Sequence, residues 1–258
     1  MTRGFVSLVG AGPGDPALLT MQAVDRLRLA DLVLYDALVA PGVVALAERA
    51  QRFSVGKRAG RKSVRQETIT RVVIRAARRG RQVVRLKCGD PYVLGRGGEE
   101  AVALRAAGVP FEVVHGVTSA VAAPALAGIP VTHRGLASGF VVVSGHNESS
   151  FRPVLGSLAP GALTVVVLMG LARRAAIADC LLERGWPAET AAAVVFAAAT
   201  PRARTWVGTL KDLGVAPDAT DPDEPGTIVI GAVVELHAVL ATQRDGAWTA
   251  AAGEKCRP

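Results

Sequence analysis

Aromatic side chains are scarce in this chain, 4% of 258 residues. That scarcity argues against an aromatic-rich β-sandwich and against a nucleic-acid groove that stacks bases on rings. Cysteine is scarcer still. Cys88, Cys180 and Cys256 are scattered, odd in number and without metal-ligand spacing, which excludes a disulfide framework, predicts no metal site and points to a reducing cytoplasm. No apolar run approaches the length of a membrane span, and the longest, residues 163–169, is strand-sized. A secretory leader is not expected either, since Met1-Thr2-Arg3-Gly4 runs directly into a strand. Acids are missing where bases are dense: between Arg49 and Lys87 the only acid is Glu67, and the formal net charge is +8. Such asymmetry suits nucleic acid, an anionic membrane or a polyanionic small molecule. With no aromatics interleaved in the basic run, the small molecule fits best, and neither nucleic acid nor membrane is the expected partner.

What is present is alanine, valine and glycine. Hydrophobic residues make up 50% of the chain, enough for one large or two modest cores of close-packed helix on sheet. Short β-branched or alternating runs predict strands at residues 5–9, 32–35, 83–86, 111–114, 140–144, 163–169, 193–196 and 227–230. Helical patterns occupy residues 18–29, 43–49, 66–79, 101–107, 117–127 and 172–184. In the third of these, Ile69, Val72, Val73 and Ala76 make one apolar stripe. A Gly/Pro-containing segment, residues 128–135, reads as a hinge. Two α/β domains are therefore expected, residues 1–133 and 134–243, followed by a mobile tail at 244–258.

Residues 87–100, K-C-G-D-P-Y-V-L-G-R-G-G-E-E, form a glycine-rich strand-to-helix crossover with charge of both signs. Loops at the carboxyl ends of strands in an open α/β sheet are where ligands bind. A second glycine-rich turn, Gly10-Ala11-Gly12-Pro13-Gly14-Asp15-Pro16, follows the first strand. It departs from the dinucleotide fingerprint, because Pro13 and Gly14 break the spacing and Asp15 at a helix start would repel a pyrophosphate. Thr118 and Ser119 open a small-residue helix, where hydroxyls either cap backbone N–H groups or meet a ligand.

These pieces, together with Tyr35-Asp36-Ala37-Leu38-Val39, Gly56-Lys57-Arg58 and Pro130-Val131-Thr132-His133-Arg134, stand in the order found in uroporphyrinogen-III C-methyltransferases of the tetrapyrrole methylase superfamily. The resemblance covers residues 6–234. It implies two α/β domains of the class III methyltransferase type, with the active site in the cleft between them, and a homodimer. S-adenosyl-L-methionine is the implied co-substrate, with no metal. The implied reaction methylates uroporphyrinogen III at C2 and C7 to give precorrin-2, for sirohaem and cobalamin-type cofactors. A stand-alone methyltransferase is expected, without the dehydrogenase and ferrochelatase half of a bifunctional sirohaem synthase.

By the same resemblance, Pro13, Cys88, Gly89, Asp90, Val93, Thr118, Ser119, Met169, Ala198 and Gly226 occupy donor-binding positions. Asp36 stands at the family's proton acceptor and Lys57 at its proton donor; a helix N-cap is the competing reading of Asp36. Lys57, Arg58, Arg96, Glu99 and Arg134 are the candidates for binding an octacarboxylate, with Glu99 either orienting Arg96 or favouring the helix N-terminus. Arg96 is expected to act as a clamp, since a guanidinium stays protonated. Two positions depart from the family's pattern. Cys88 replaces a usual glycine, which would strain the backbone if positive φ were required there. His115 replaces a usual proline and is expected to be a turn residue. A later corrin-ring methyltransferase, a basic nucleic-acid-binding module and a nicotinamide-dependent enzyme are the alternative readings.

Overall fold

The computed structural model describes residues 4–56, 65–161, 163–221 and 223–241. The first half of the chain builds a parallel sheet from β1 (Phe5–Gly10), β2 (Leu32–Tyr35), β3 (Gln51–Ser54), β4 (Gln82–Lys87) and β5 (Phe111–Val114), in the order β3-β2-β4-β1-β5. Its helices are α1 (Met21–Leu29), α2 (Pro41–Ala45), α3 (Gln66–Arg78) and α4 (Gly97–Ala106). A parallel sheet is covered on both faces, so its strands are apolar on both sides. Val9, Val33, Val84 and Leu86 point to the α1/α2 side. Val6, Leu8, Leu32, Leu34 and Val83 point to α3 and α4, against Ile69, Val73, Ala76, Ala101 and Leu104. Burying each such Val or Leu contributes about 1.5–3 kcal/mol.

Helix α5 (Ser119–Leu126) leads into the second half. There β6 (Phe140–Ser144), α6 (Glu148–Leu155), β7 (Thr164–Leu168), α7 (Arg174–Leu182), β8 (Ala191–Phe196), β9 (Arg204–Thr209), β10 (Gly226–Ile230) and α8 (His237–Leu240) follow in turn. The second sheet runs β6-β7-β10-β8-β9, with β6 and β7 parallel and the remaining pairs antiparallel. One face packs on Phe151, Leu155, Ile177 and Leu181 of α6 and α7. The other receives Ala123, Ala127 and Ile129, from in and just after α5, against Val195, Val229, Val233 and Val234. Helix α5, which follows β5 of the first sheet, is thereby packed on the second. At the predicted hinge, the His237 ring nitrogen Nδ1 lies 2.6 Å from the Ala127 carbonyl oxygen.

Several sequence expectations are corrected. The helix expected over 18–29 divides, because the Asp15 carboxylate caps a short 3₁₀ turn, Pro16–Leu18, and the Thr20 hydroxyl then caps α1. Helix α2 starts two residues early, with Pro41 at its first position, where a missing N–H costs nothing. Helix α4 begins inside the glycine-rich stretch, making Glu99 and Glu100 first-turn residues. In the α3 stripe Val72 is 45% exposed, and Ala77 is buried instead. The tail 244–258 lies outside the described residues. Among those residues, no helix is long and apolar enough to cross a membrane.

Candidate active site

The loops leaving β1, β4 and β5 meet backbone to backbone. A Cβ on Gly116 would lie 2.3 Å from the Gly89 carbonyl oxygen, and one on Gly10 would lie 2.5 Å from the Gly116 nitrogen. Gly12 and Gly89 form a β-bridge, with Gly89 N donating to the Gly12 carbonyl at 2.8 Å. No side chain fits at Gly10 or Gly116, which is the physical reason for glycine there, while Gly89 and Gly12 are required by their left-handed φ of 65° and 67°. Asp90 ties the same loops from the side. One carboxylate oxygen accepts from Tyr92 N at 2.8 Å; the other accepts from Gly116 N at 3.1 Å and lies 3.0 Å from His115 Nδ1. The histidine that departs from the family's pattern thus reaches the buried carboxylate of the central motif.

Above this floor lies a cleft of about 930 Å³, at the upper end of ligand-pocket sizes. Its walls come from both halves of the chain: Pro13–Pro16, Ala37–Pro41, Cys88, Ser119 and Ala123 on one side, Ala197–Arg202, Asp221, Asp223 and Pro225 on the other. Among the expected donor-binding residues, Pro13, Cys88, Ser119 and Ala198 line it. The Thr118 hydroxyl caps α5, accepting from Ala120 N at 3.3 Å. Gly226 opens β10 opposite Phe196, and Met169 follows β7. Val93 lies in the turn after Asp90, whose carbonyl its N–H meets at 3.2 Å.

Left-handed backbone outside glycine is confined to these loops among the described residues: Leu94, Arg96, Met169, Ala197 and Ala199 have φ between 45° and 60°. Each such residue stores about 1–3 kcal/mol, strain that clusters at ligand sites. Cys88 is not among them; the positive φ falls on Gly89, at 65°. The strain anticipated for a cysteine at this position therefore does not arise. Burial pushes the Cys88 thiol up to about 11, with the Asp36 carboxylate acting in the same direction. Alkylation of Cys88 by iodoacetamide at pH 7.5 is accordingly expected to run at least about tenfold slower than that of an unperturbed cysteine, because only the thiolate reacts. Peptide mass spectrometry of timed aliquots measures this.

The strand register assembles a charge cluster beside the cleft. Val83, Arg85 and Lys87 alternate onto the α3/α4 face of β4, and Leu32, Leu34 and then Asp36 do the same from β2. Arg85 is ion-paired to one Asp36 oxygen through Nη2 and to Glu100 through Nε at 3.0 Å. Lys87 Nζ lies 3.3 Å from Glu100 Oε1 and 3.8 Å from the other Asp36 oxygen. The N-cap reading of Asp36 is displaced by these ion pairs; Ala40 is the residue before α2. Burial lowers the Lys87 pKa, the neighbouring Arg85 guanidinium adding to the effect.

Arg96 stands just ahead of α4, half-exposed, gripped by Glu99 through bonds of 3.0 and 2.7 Å. Glu99 also sits in the first turn of α4. The Arg96 bond depresses the Glu99 pKa. Arg134 is exposed in the turn closed by the His133–Ala137 bridge. Lys57 and Arg58 lie outside the described residues. Arg85 and Lys87 were given no site role by the sequence because strand β4 reads as apolar, and Glu100 was read only as part of the mixed charge of residues 87–100; the missed signal was two cations at alternate positions of a buried strand. The acids Asp221 and Asp223 had no motif to mark them. Among the described residues, no group of three or more His, Cys, Asp or Glu gathers as for a metal.

The family model for Tetrapyrrole (Corrin/Porphyrin) Methylases matches residues 6–214. A siroheme synthase of Neisseria meningitidis serogroup C is 47% identical over 240 residues, 92% of this chain and 50% of that protein, so the chain spans about half of that relative. The crystal structure of a uroporphyrin-III-C-methyltransferase from Thermus thermophilus superposes with a TM-score of 0.79 at 45% identity, covering 95% of this chain and 100% of that one. A further structure of the Thermus thermophilus enzyme, complexed with S-adenyl homocysteine, gives 0.76 at 43% identity over 90% of this chain and 100% of that chain. With a glycine-floored cleft between two α/β sheets and a match that runs through both, the chain belongs to the tetrapyrrole (corrin/porphyrin) methylases.

Proposed function

We propose that this protein transfers methyl groups from S-adenosyl-L-methionine to C2 and C7 of uroporphyrinogen III, giving precorrin-2. The observation that carries this reading is the cleft itself, whose wall holds Ala37 next to Asp36 and Cys88 next to Gly89, in a chain matching the whole length of the Thermus thermophilus enzyme. Its lining suits a cationic donor. Asp15, Asp221 and Asp223 supply carboxylates and the strained Ala197–Ala199 turn supplies backbone. The lining's one arginine, Arg202, stands 3.8 Å from Asp221.

S-adenosylmethionine supplies an already activated methyl group, so the chain's task is positioning. Holding reactants in line contributes about 7–11 kcal/mol in well-oriented cases. Pro13, Cys88, Gly89, Asp90, Val93, Thr118, Ser119, Met169, Ala198 and Gly226 are the residues we assign to the donor. Arg96, Arg134, Lys57 and Arg58 bind the carboxylates of the tetrapyrrole, with Glu99 fixing the Arg96 fork. As the new carbon–carbon bond forms on the electron-rich pyrrole, the macrocycle must lose a proton. Asp36 accepts it, so that each methyl gained is matched by one proton lost, and Lys57, at the proton-donor position, serves only to relocate protons within the macrocycle. Domain limits of 1–133 and 134–243, a homodimer and a cytoplasmic location belong to the same proposal.

Anaerobic incubation with uroporphyrinogen III and S-adenosylmethionine, followed by mass spectrometry, tests the function. A gain of two methyl groups supports it; bound donor with unmethylated tetrapyrrole overturns the substrate. Arg96→Ala is expected to raise the tetrapyrrole KM by about 10- to 150-fold, the equivalent of one charge-assisted contact of about 1.5–3 kcal/mol. Donor affinity, read by calorimetry with S-adenosylhomocysteine, is expected to stay unchanged in that variant.

A further inference from the structure

Asp36 is one corner of a charge quartet whose other three members are enclosed. The side chains of Arg85 and Lys87 are each 2% exposed and that of Glu100 is 4% exposed, whereas that of Asp36 is 33% exposed. We infer that Arg85, Lys87 and Glu100 are positioning residues that fix the orientation of the Asp36 carboxylate, next in the chain to the cleft residue Ala37. This rests on the reading of Asp36 as the proton acceptor.

Stability alone explains the quartet poorly. Enclosing ions costs several kcal/mol each, and apolar residues of similar volume usually serve as well or better. Here two cations interrupt β4, at positions flanked by Val83, Val84 and Leu86, all at most 2% exposed. The geometry is directional. Arg85 spreads its donors over four acceptors: Glu100 through Nε, the Leu34 and Leu86 carbonyls through Nη1 at 3.4 and 3.1 Å, and Asp36 through Nη2. A guanidinium held on both strands that way has no rotational freedom left. Lys87 faces the second Asp36 oxygen, so each oxygen of that carboxylate meets a different cation.

Glu100 balances the two cations from α4 and is itself bonded by the Gln66 amide of α3, while its Oε2 has no partner among the described residues. Formal charge across the quartet sums to zero, and its open end is Asp36. Because Glu100 and Arg96 both sit at the start of α4, the same helix turn that carries the tetrapyrrole clamp also anchors the base. The groups facing Asp36 are Arg85 and Lys87 from β4 and the Cys88 thiol just beyond.

Lys87→Met, Arg85→Lys and the charge-balanced double variant Lys87→Met/Glu100→Gln test the inference. Two readouts are used: kcat and KM for methylation, and the ¹³C chemical shift of the Asp36 carboxyl at fixed pH in selectively labelled protein. For Lys87→Met we expect kcat to fall about 10- to 100-fold, the scale of a misplaced catalytic group, with KM values and S-adenosylhomocysteine affinity unmoved. The Asp36 carboxyl resonance should move, because its second oxygen loses the Lys87 partner. Arg85→Lys, which keeps charge but loses the fork, should recover only part of kcat. The double variant leaves no bare buried ion, so it keeps the test open if Lys87→Met fails to fold.

A folded double variant with wild-type kcat and an unmoved Asp36 carboxyl resonance would overturn the inference. Should the wild-type protein leave uroporphyrinogen III unmethylated, it is the functional reading that fails. The carboxyl resonance then still decides the quartet, since it needs no substrate.

Discussion

Asp36→Asn is expected to lower kcat for uroporphyrinogen III methylation by about 10²- to 10⁴-fold, the usual contribution of a positioned general base. Asparagine keeps the shape of the side chain and an oxygen for Arg85, which also retains Glu100 and two carbonyls. What it loses is the capacity to take a proton from the methylated macrocycle. Binding of S-adenosylhomocysteine is therefore expected to survive, and initial rates by mass spectrometry, set beside calorimetric donor affinity, separate the two effects. A loss shared equally by rate and donor affinity would instead mean that Asp36 shapes the cleft. An unaltered rate would remove it from the chemistry altogether.

Gly116→Ala is expected to have the second large effect. Its new Cβ would stand 2.3 Å from the Gly89 carbonyl oxygen and 2.8 Å from the Gly10 backbone, neither of which is the movable end of a side chain. Overpacking of this kind costs about 1–3 kcal/mol, occasionally more, and each kcal/mol lowers Tm by about 2–4 °C in a chain of roughly this length. The floor must also open, so donor affinity is expected to fall by more than about tenfold, each 1.4 kcal/mol being one decade. Gly98→Ala is the control. Nothing lies within 4 Å of its added Cβ and its φ is not in the left-handed region. That substitution is expected to stabilise the protein by about 0.4–1 kcal/mol through a less flexible unfolded chain. Thermal unfolding and calorimetry of the two variants side by side distinguish a packed floor from a merely flexible one.

Strands such as β1, β4, β7 and β8 were legible because their apolar pattern and their structure have one cause: a strand covered on both faces must be apolar on both. The two that were missed lie at sheet edges and, unlike the edge strands β5 and β6, carry no run of β-branched residues. Strand β3, Gln51–Ser54, is exposed at all four positions and exists through its pairing with β2. Strand β9 hangs on β8 at the far edge of the second sheet. Helix α6 was missed because Pro153 interrupts its pattern, although the Asn147 side chain caps its start. Glycine-rich loops announced that a ligand site lies near β1 and β4. They did not announce which glycines are irreplaceable, because that depends on backbone from loops up to 106 residues apart, Gly10 against Gly116.

By itself the sequence determined the α/β class, the order of the elements, the family motifs and the residues that chemistry would look for, since these follow from local periodicity and from residues adjacent in the chain. Tertiary structure alone decided that the Asp36 carboxylate is held by Arg85 and Lys87, that Cys88 is unstrained, and that His115 reaches Asp90. It also decided that Asp221 and Asp223 face the glycine-rich loops across one cleft. The physical reason is register. Pairing Leu34 with Arg85 brings two distant segments side by side, and a shift of one residue would turn every one of those charges to the opposite face of the sheet.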